Sequence, residues 1–298
     1  MTDKVQFGGQ AVIPVGSYAN IQPSFTVEGD TFEDARDLWL AEVSKIFSAA
    51  NKDIDLSFSL APVRVSAGVD LTCWASGTVV NFDPVQHVYS PGKWLSGSAF
   101  ASQFTPDFPA ALIAGKMAAK YGVSAEQILS MWALNAEASS TFGTSVHAAL
   151  QLHGEYLSLS QAVKGSNESA LTKNPVLRPI VESFFAGRED EHAVYEAFVA
   201  DPVLRHCGQI DRLLIEDDGL VIEDFKTNTD LTKAEAISKP FKGVVEPTKL
   251  GAYWLQLSFY GEIIRRHGHK VKGLRIHHWT GSDWVTYDHD VVDISGAI

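Results

Sequence analysis

The chain has 298 residues, of which 45% are hydrophobic and 20% charged, with a formal net charge of −12. That balance excludes a disordered polymer, and the length suffices for one large or two ordinary domains with buried cores. The net negative charge argues against a general polyanion-binding surface. Two cysteines are too few for a disulfide scaffold or a four-cysteine zinc or iron–sulfur site.

No apolar run approaches the roughly 18 residues of a membrane helix, and the opening MTDKVQFGGQAVIPVG lacks a basic start followed by an apolar stretch. The reading is a cytoplasmic protein without a membrane partner, with Cys73 and Cys207 as buried reduced thiols. Residues 1–60 hold nine acids against four basic residues. They read as extended chain over residues 19–27, then a capping start at Asp30 and Thr31 for the amphipathic run FEDARDLWLAEVSKIF. Phe32, Leu38, Val43 and Phe47 fall among its periodic apolar positions. The expectation is a small acidic α+β accessory region, docking a protein partner in recombination or replication, ahead of a main domain over residues 61–298.

Farther on, residues 77–100 read as short strands broken by Asp-Pro and Pro-Gly turns. Helices are expected over 109–121, 125–139 and 144–158, the last two separated by a change of direction at Gly143. Residues 167–175 read as a polar loop. The period then changes to that of strands over 195–199, 208–215 and 220–226, the last two joined by the acidic turn Glu216, Asp217, Asp218 and Gly219. A helix over Lys249–Arg266 and closing strands over 271–278 and 284–291 complete the chain.

The chemistry concentrates in GQIDRLLIEDDGLVIEDFKTN, residues 208–228. Strand alternation puts Asp224 and Lys226 on one face and Glu223 and Phe225 on the other, so Glu223 is not expected as a ligand. If the two strands pair across the turn, Asp211 reaches Asp224. Converging carboxylates repel unless a cation lies between them, and a hard, oxygen-liganded ion such as Mg2+ or Mn2+ meets that need. A lysine beside them can orient a metal-bound water or stabilise charge on a phosphate. The plain alternative is a surface hairpin with an Asp–Lys ion pair, but the pair follows the apolar strand LVIEDFK, where aliphatics are expected.

Gly208 and Asp211 as G-x-x-D, then Asp224, Lys226 and Thr227 as D-x-K-T, resemble the RecB-type branch of the PD-(D/E)XK nuclease superfamily. Gly143, Thr144 and His147 fit the branch's G-T-x-x-H helix, and Gln256 and Tyr260 fit its Q-x-x-x-Y, which places both on one helix face. The resemblance spans about residues 77–291. It implies a restriction-endonuclease-like α/β fold: a mixed central β-sheet flanked by helices, here with the small N-terminal appendage. It implies metal ligation by His147, Asp211, Asp224 and the carbonyl of Phe225, with Glu196 joining. It also implies catalytic roles for Lys226, Asp211, Asp224, Gln256 and Tyr260 on DNA. The four cluster-binding cysteines of several members are absent, so no iron–sulfur cluster is expected and the likeness is to cluster-free, phage-type exonucleases. A phage source acting in a bacterial host belongs to the same expectation. A silent DNA-binding module on the nuclease fold and a restriction-type endonuclease stay open as alternatives.

Residues 226–275 carry ten Lys or Arg against four acids. This local excess is expected to flank the site and track a DNA backbone, with Lys239, Lys242 and Lys249 as phosphate contacts. Trp94, Phe100, Phe104 and Trp132 are the candidate stacking surfaces.

Overall fold

Hydrophobic alternation in the second half of the chain builds a sheet whose two faces are each covered by helices, and the motif residues lie along its central strands. The computed structural model describes residues 5–10, 13–16, 19–21, 24–49, 68–84, 86–162 and 172–298. Most of the loop expected over 167–175 lies outside the described residues, as do residues 22 and 23 of the N-terminal extended stretch. The chain divides into two compact units, Met1–Ser66 and Ala67–Ile298.

In the first unit, β1 (Val5–Gln10) pairs antiparallel with β4 (Ser24–Gly29), and β2 (Ile13–Gly16) pairs with β3 (Ala19–Ile21). Helix α1 (Phe32–Ala49) follows the expected capping start. The Asp34 amide donates to Thr31 Oγ1 and the Thr31 amide donates to Asp34 Oδ2, a reciprocal cap with aspartate in the place of the usual glutamate.

The second unit opens with an antiparallel sheet of β5 (Val69–Thr72), β6 (Val79–Asp83) and β7 (Val88–Ser90). A short β8 (Leu95–Ser96) then gives way to helix α2 (Gly97–Ser102). The end of the segment read as strands is therefore helical: Ser96 Oγ accepts the Ala99 amide and caps a new helix. The order continues α3 (Ala110–Tyr121), α4 (Ala125–Ala162), α5 (Leu177–Phe185), β9 (Ala193–Asp201), β10 (His206–Glu216), β11 (Gly219–Lys226), α6 (Lys249–Arg266), β12 (Val271–Trp279) and β13 (Trp284–His289).

The central sheet runs β13–β12–β11–β10, with β9 and β8 both paired to β10. Its pairings are antiparallel except β11–β12 and β10–β8. Parallel neighbours need a crossover, and α6 supplies it between β11 and β12. One face buries Ile210 and Ile222 against α2 and α6, through Phe100, Trp254, Leu257 and Phe259. The other buries Tyr195 and Phe225 against α4 and α5, through Val146, Leu150, Ile180 and Phe184. Cys73 and Cys207 are buried free thiols in a third cluster.

Three sequence expectations are corrected by this packing. Helix α4 runs unbroken through Gly143, where a Cβ would sit 3.1 Å from Thr227 Oγ1. The glycine permits close approach of helix to strand end rather than a change of direction. Phe100 and Phe104 are core residues stacked among Phe241 and Phe259, so they offer no surface to a base. The basic stretch is not one phosphate track: Arg266 pairs with Asp201, Lys272 with Glu216 and Asp218, and Arg275 with Glu223 and Asp288.

Candidate active site

Three strands and one helix bring the motif side chains together. Asp211 comes from β10, Asp224 and Lys226 from β11, Glu196 from β9 and His147 from α4. His147 Nδ1 lies 3.5 Å from Asp211 Oδ2, and the Phe225 amide donates to the same Asp211 oxygen at 2.8 Å. Lys226 Nζ makes an ion pair with Asp224 Oδ2 and stands over the Tyr253 ring, 4.6 Å from its centroid. Lys226, His147, Thr144, Thr227, Tyr253 and Lys249, with Phe225, line one cavity of about 600 Å³.

Glu196 reaches this cluster by a backbone departure that alternation does not foresee. Its φ is +50°, and the β9–β10 register passes from Ala197 opposite Ile210 to Tyr195 opposite Arg212. A left-handed non-glycine residue within a strand is strained, and such strain is held only where the surroundings over-determine it. One ligand atom from each of His147, Glu196 and Asp211 lies within 4.8 Å of the others. Atoms bound to one hard cation at about 2.0–2.6 Å cannot be much farther apart than that. Imidazole plus two carboxylates thus fits a divalent metal in both chemistry and spacing. Asp224 stands beside this trio rather than within it, its carboxylate taken by Lys226.

The electrostatics agree with a cation-seeking site. Burial, and then the Asp211 charge, push the Glu196 carboxyl up to about 7. Burial, opposed by Lys226 and reinforced by Asp211, lifts Asp224 to about 6. Burial alone would also raise Asp211, yet His147 and Lys226 hold it below the usual carboxylate range. His147 is pulled down by burial but raised on balance by the Asp211 carboxylate. Lys226 is desolvated, which disfavours its charge, but the two aspartates more than restore it, so its ammonium is kept at neutral pH.

The remaining motif residues pack around the cluster. Gln256 Nε2 donates to the Tyr260 hydroxyl at 3.0 Å. Tyr260 is buried, and a Cβ on Gly208 would stand 2.1 Å from its ring, one on Gly97 2.3 Å. The glycine of G-x-x-D is thus a seat for the tyrosine of Q-x-x-x-Y. Lys249 lines the cavity, whereas Lys239 and Lys242 lie exposed on the loop between β11 and α6. Trp132 packs on Phe108 and Trp94 donates to the Pro91 carbonyl. Sequence reasoning gave no cavity role to Thr227 or Tyr253. The signal for Tyr253 was its position three residues before Gln256 on α6.

The neighbouring odd positions face the other way. Glu223 is fully buried opposite its register partner Arg212, and the two are ion-paired. Arg275 reaches the second Glu223 oxygen at 2.9 Å, and Glu191 closes on Arg212 at 2.6 Å.

A model of the PD-(D/E)XK nuclease superfamily matches residues 119–281, more than half of the chain. The chain belongs to the PD-(D/E)XK nuclease superfamily. The match takes in α4, the three motif strands and α6, so every cluster residue described above falls within it. Membership implies a metal-dependent nuclease with DNA as its substrate, and the mixed sheet flanked by helices is the fold this superfamily has. No curated protein matches the chain. Among the described residues, no helix is long and apolar enough to cross a membrane.

Proposed function

We propose that this PD-(D/E)XK protein is a Mg2+- or Mn2+-dependent deoxyribonuclease of the RecB-type branch, an exonuclease working on DNA ends or single strands. The observation that carries the reading is the convergence of His147, Glu196 and Asp211 beside the Asp224–Lys226 pair, with His147, Lys226 and Lys249 lining the adjoining cavity. His147, Asp211 and Glu196 would hold the metal, with Asp224 and the carbonyl of Phe225 as the adjoining oxygen donors. A divalent cation there supplies Lewis acidity, lowering the pKa of a water and neutralising charge on the phosphate.

The chain's own groups do the rest. The Phe225 amide fixes the Asp211 carboxylate. Lys226 keeps its proton, so it acts as a cation that holds a water or a phosphate oxygen rather than as a base. Tyr260, wedged over Gly208, holds the Gln256 amide at the edge of the cluster. Lys249, with Lys239 and Lys242 farther out, meets neighbouring phosphates. Residues 1–60 form a separate accessory region in this reading, whose acidic surface docks a protein partner.

The test incubates the protein with end-labelled linear DNA, single-stranded and duplex, beside closed circular DNA, in Mg2+, Mn2+ or EDTA. Metal-dependent loss from ends with intact circles is expected. Nicked or cut circles would make it an endonuclease, and no cleavage with any metal would leave a binding module.

A further inference from the structure

The residues just after Lys226 form a ridge between two cavities. On one side is the cavity of His147, Lys226 and Lys249; on the other is a second of about 580 Å³ that shares Thr227 and Asn228 with it. Helix α4 comes close to this ridge, since a Cβ on Gly143 would stand 3.1 Å from Thr227 Oγ1, and the His278 ring holds it by a 2.6 Å contact with the Asn228 carbonyl.

The two cavities differ in charge. Among the described residues, no Lys, Arg, His, Asp or Glu lines the second one; Phe142, Pro179 and Trp279 give it an apolar wall, and Asn228 and Thr229 give it a polar edge. A phosphate gains nothing from such a lining, since its affinity comes from cations. A flat, neutral heterocycle with hydrogen-bonding edges gains from both parts of it. Trp279 is a fixed wall: its ring meets Trp284 with centroids 5.5 Å apart, and Trp284 Nε1 donates to the Ile180 carbonyl at 3.0 Å. It is also close to the chemistry, because Lys226 pairs in register with His278 on the adjacent strand, one residue before Trp279.

We propose that this neutral cavity receives the nucleobase next to the scissile phosphate, with Trp279 as its stacking face. The proposal rests on the DNA-cleaving reading of the neighbouring cavity and adds a base subsite to it. The two cavities divide one nucleotide's chemistry between them, charge on one side of the Thr227 ridge and ring on the other.

The test measures binding to the Lys226→Ala protein, with Ca2+ present, of a short oligothymidylate and of a phosphodiester chain of equal length built from abasic tetrahydrofuran units. Adding Trp279→Ala is expected to weaken oligothymidylate binding about ten-fold, the scale of one lost base stack, and to leave the abasic chain unchanged. Trp279→Phe, which keeps a ring, retains most of the preference. An equal loss on both chains, no loss on either, or no measurable binding of oligothymidylate would overturn the base subsite. Cleavage by the wild-type protein in Mg2+ is read separately. Cleavage with no base-dependent effect of Trp279 removes the subsite alone, and the base-dependent effect without cleavage removes the nuclease reading and leaves the cavity as a base site.

Discussion

Glu196 and Asp224 are carboxylates held out of their ordinary range by burial and by each other's neighbours, with their carboxyl pKa values at about 7 and about 6. A group raised in the folded state costs stability as pH climbs past its unfolded value of roughly 4, and that cost is complete above its folded value. A cation that neutralises the pair should relieve it. Mn2+ is therefore expected to raise the melting temperature more at pH 8 than at pH 5.5, where protons compete for the same oxygens; calorimetric scans at the two pH values check this, and an equal shift at both would count against it. Glu196→Gln is expected to weaken Mn2+ binding by about ten-fold or more in titration calorimetry, on the scale seen when metal-site partners are removed. Lys226→Ala should lower cleavage by about 100-fold or more while the circular dichroism spectrum stays that of the parent. His147, Asp211, Asp224 and Lys226 were legible in the sequence because three short motifs, G-T-x-x-H, G-x-x-D and D-x-K-T, name them. The route by which Glu196 arrives was not, since a positive φ in a strand of non-glycine residues leaves no mark on composition or period.

At the scale of elements, the strands were readable from alternation and Lys249–Arg266 from its helical period, because each segment's burial follows its own sequence. What could not be read is what one element does to another. Gly143 looked like a hinge and is a contact with Thr227, and Gly208 looked like a motif letter and is a seat for Tyr260. Gly208→Ala should consequently cost about 2 kcal/mol or more by overpacking, measured by urea unfolding, with wild-type stability as the opposing result. The Glu223–Arg212 pair likewise depends on register, which places them opposite one another only once β10 and β11 are joined. Because they directly follow or precede Asp211 and Asp224 in sequence, their pairing locks the register that sets the two carboxylates side by side. Removing one partner leaves a buried charge, so Glu223→Ala is expected to destabilise by about 3–5 kcal/mol. Phe100 and Phe104 likewise have the composition of a stacking surface, and only the fold shows that Phe241 and Phe259 already cover them.

For the whole molecule, charge distribution separates what net charge hid. The −12 total coexists with a local cationic excess, yet pairing with Asp201, Glu216, Glu223 and Asp288 withdraws much of that excess from any ligand. Lys249 remains at the cavity, beside Lys226, which is itself paired with Asp224. The paired charges also set the acid limit of the fold. His277, Arg212 and Arg275 overcome the burial of Glu223 and hold its carboxyl down to about 2, well below the ordinary value. A lowered acid contributes stability that is present above its unfolded pKa and lost as pH falls through the folded one. Denaturant midpoints should therefore drop between about pH 4.5 and pH 2, and Glu223→Gln should flatten that part of the curve. The unit Met1–Ser66 contains none of the cluster residues, so deletion of residues 1–60 is expected to leave cleavage intact while abolishing capture of any partner that region docks.

In the proposed mechanism, His147, Glu196 and Asp211 hold a metal that drives DNA cleavage beside Lys226. The measurement that tests it most directly follows labelled single-stranded DNA in Mg2+ with the wild-type protein and with Asp211→Asn, each repeated in EDTA. Cleavage by the wild type that stops in EDTA, and falls by about 100-fold or more in the folded variant, is the expected result. Cleavage that persists in EDTA, or at the wild-type rate in Asp211→Asn, would contradict it.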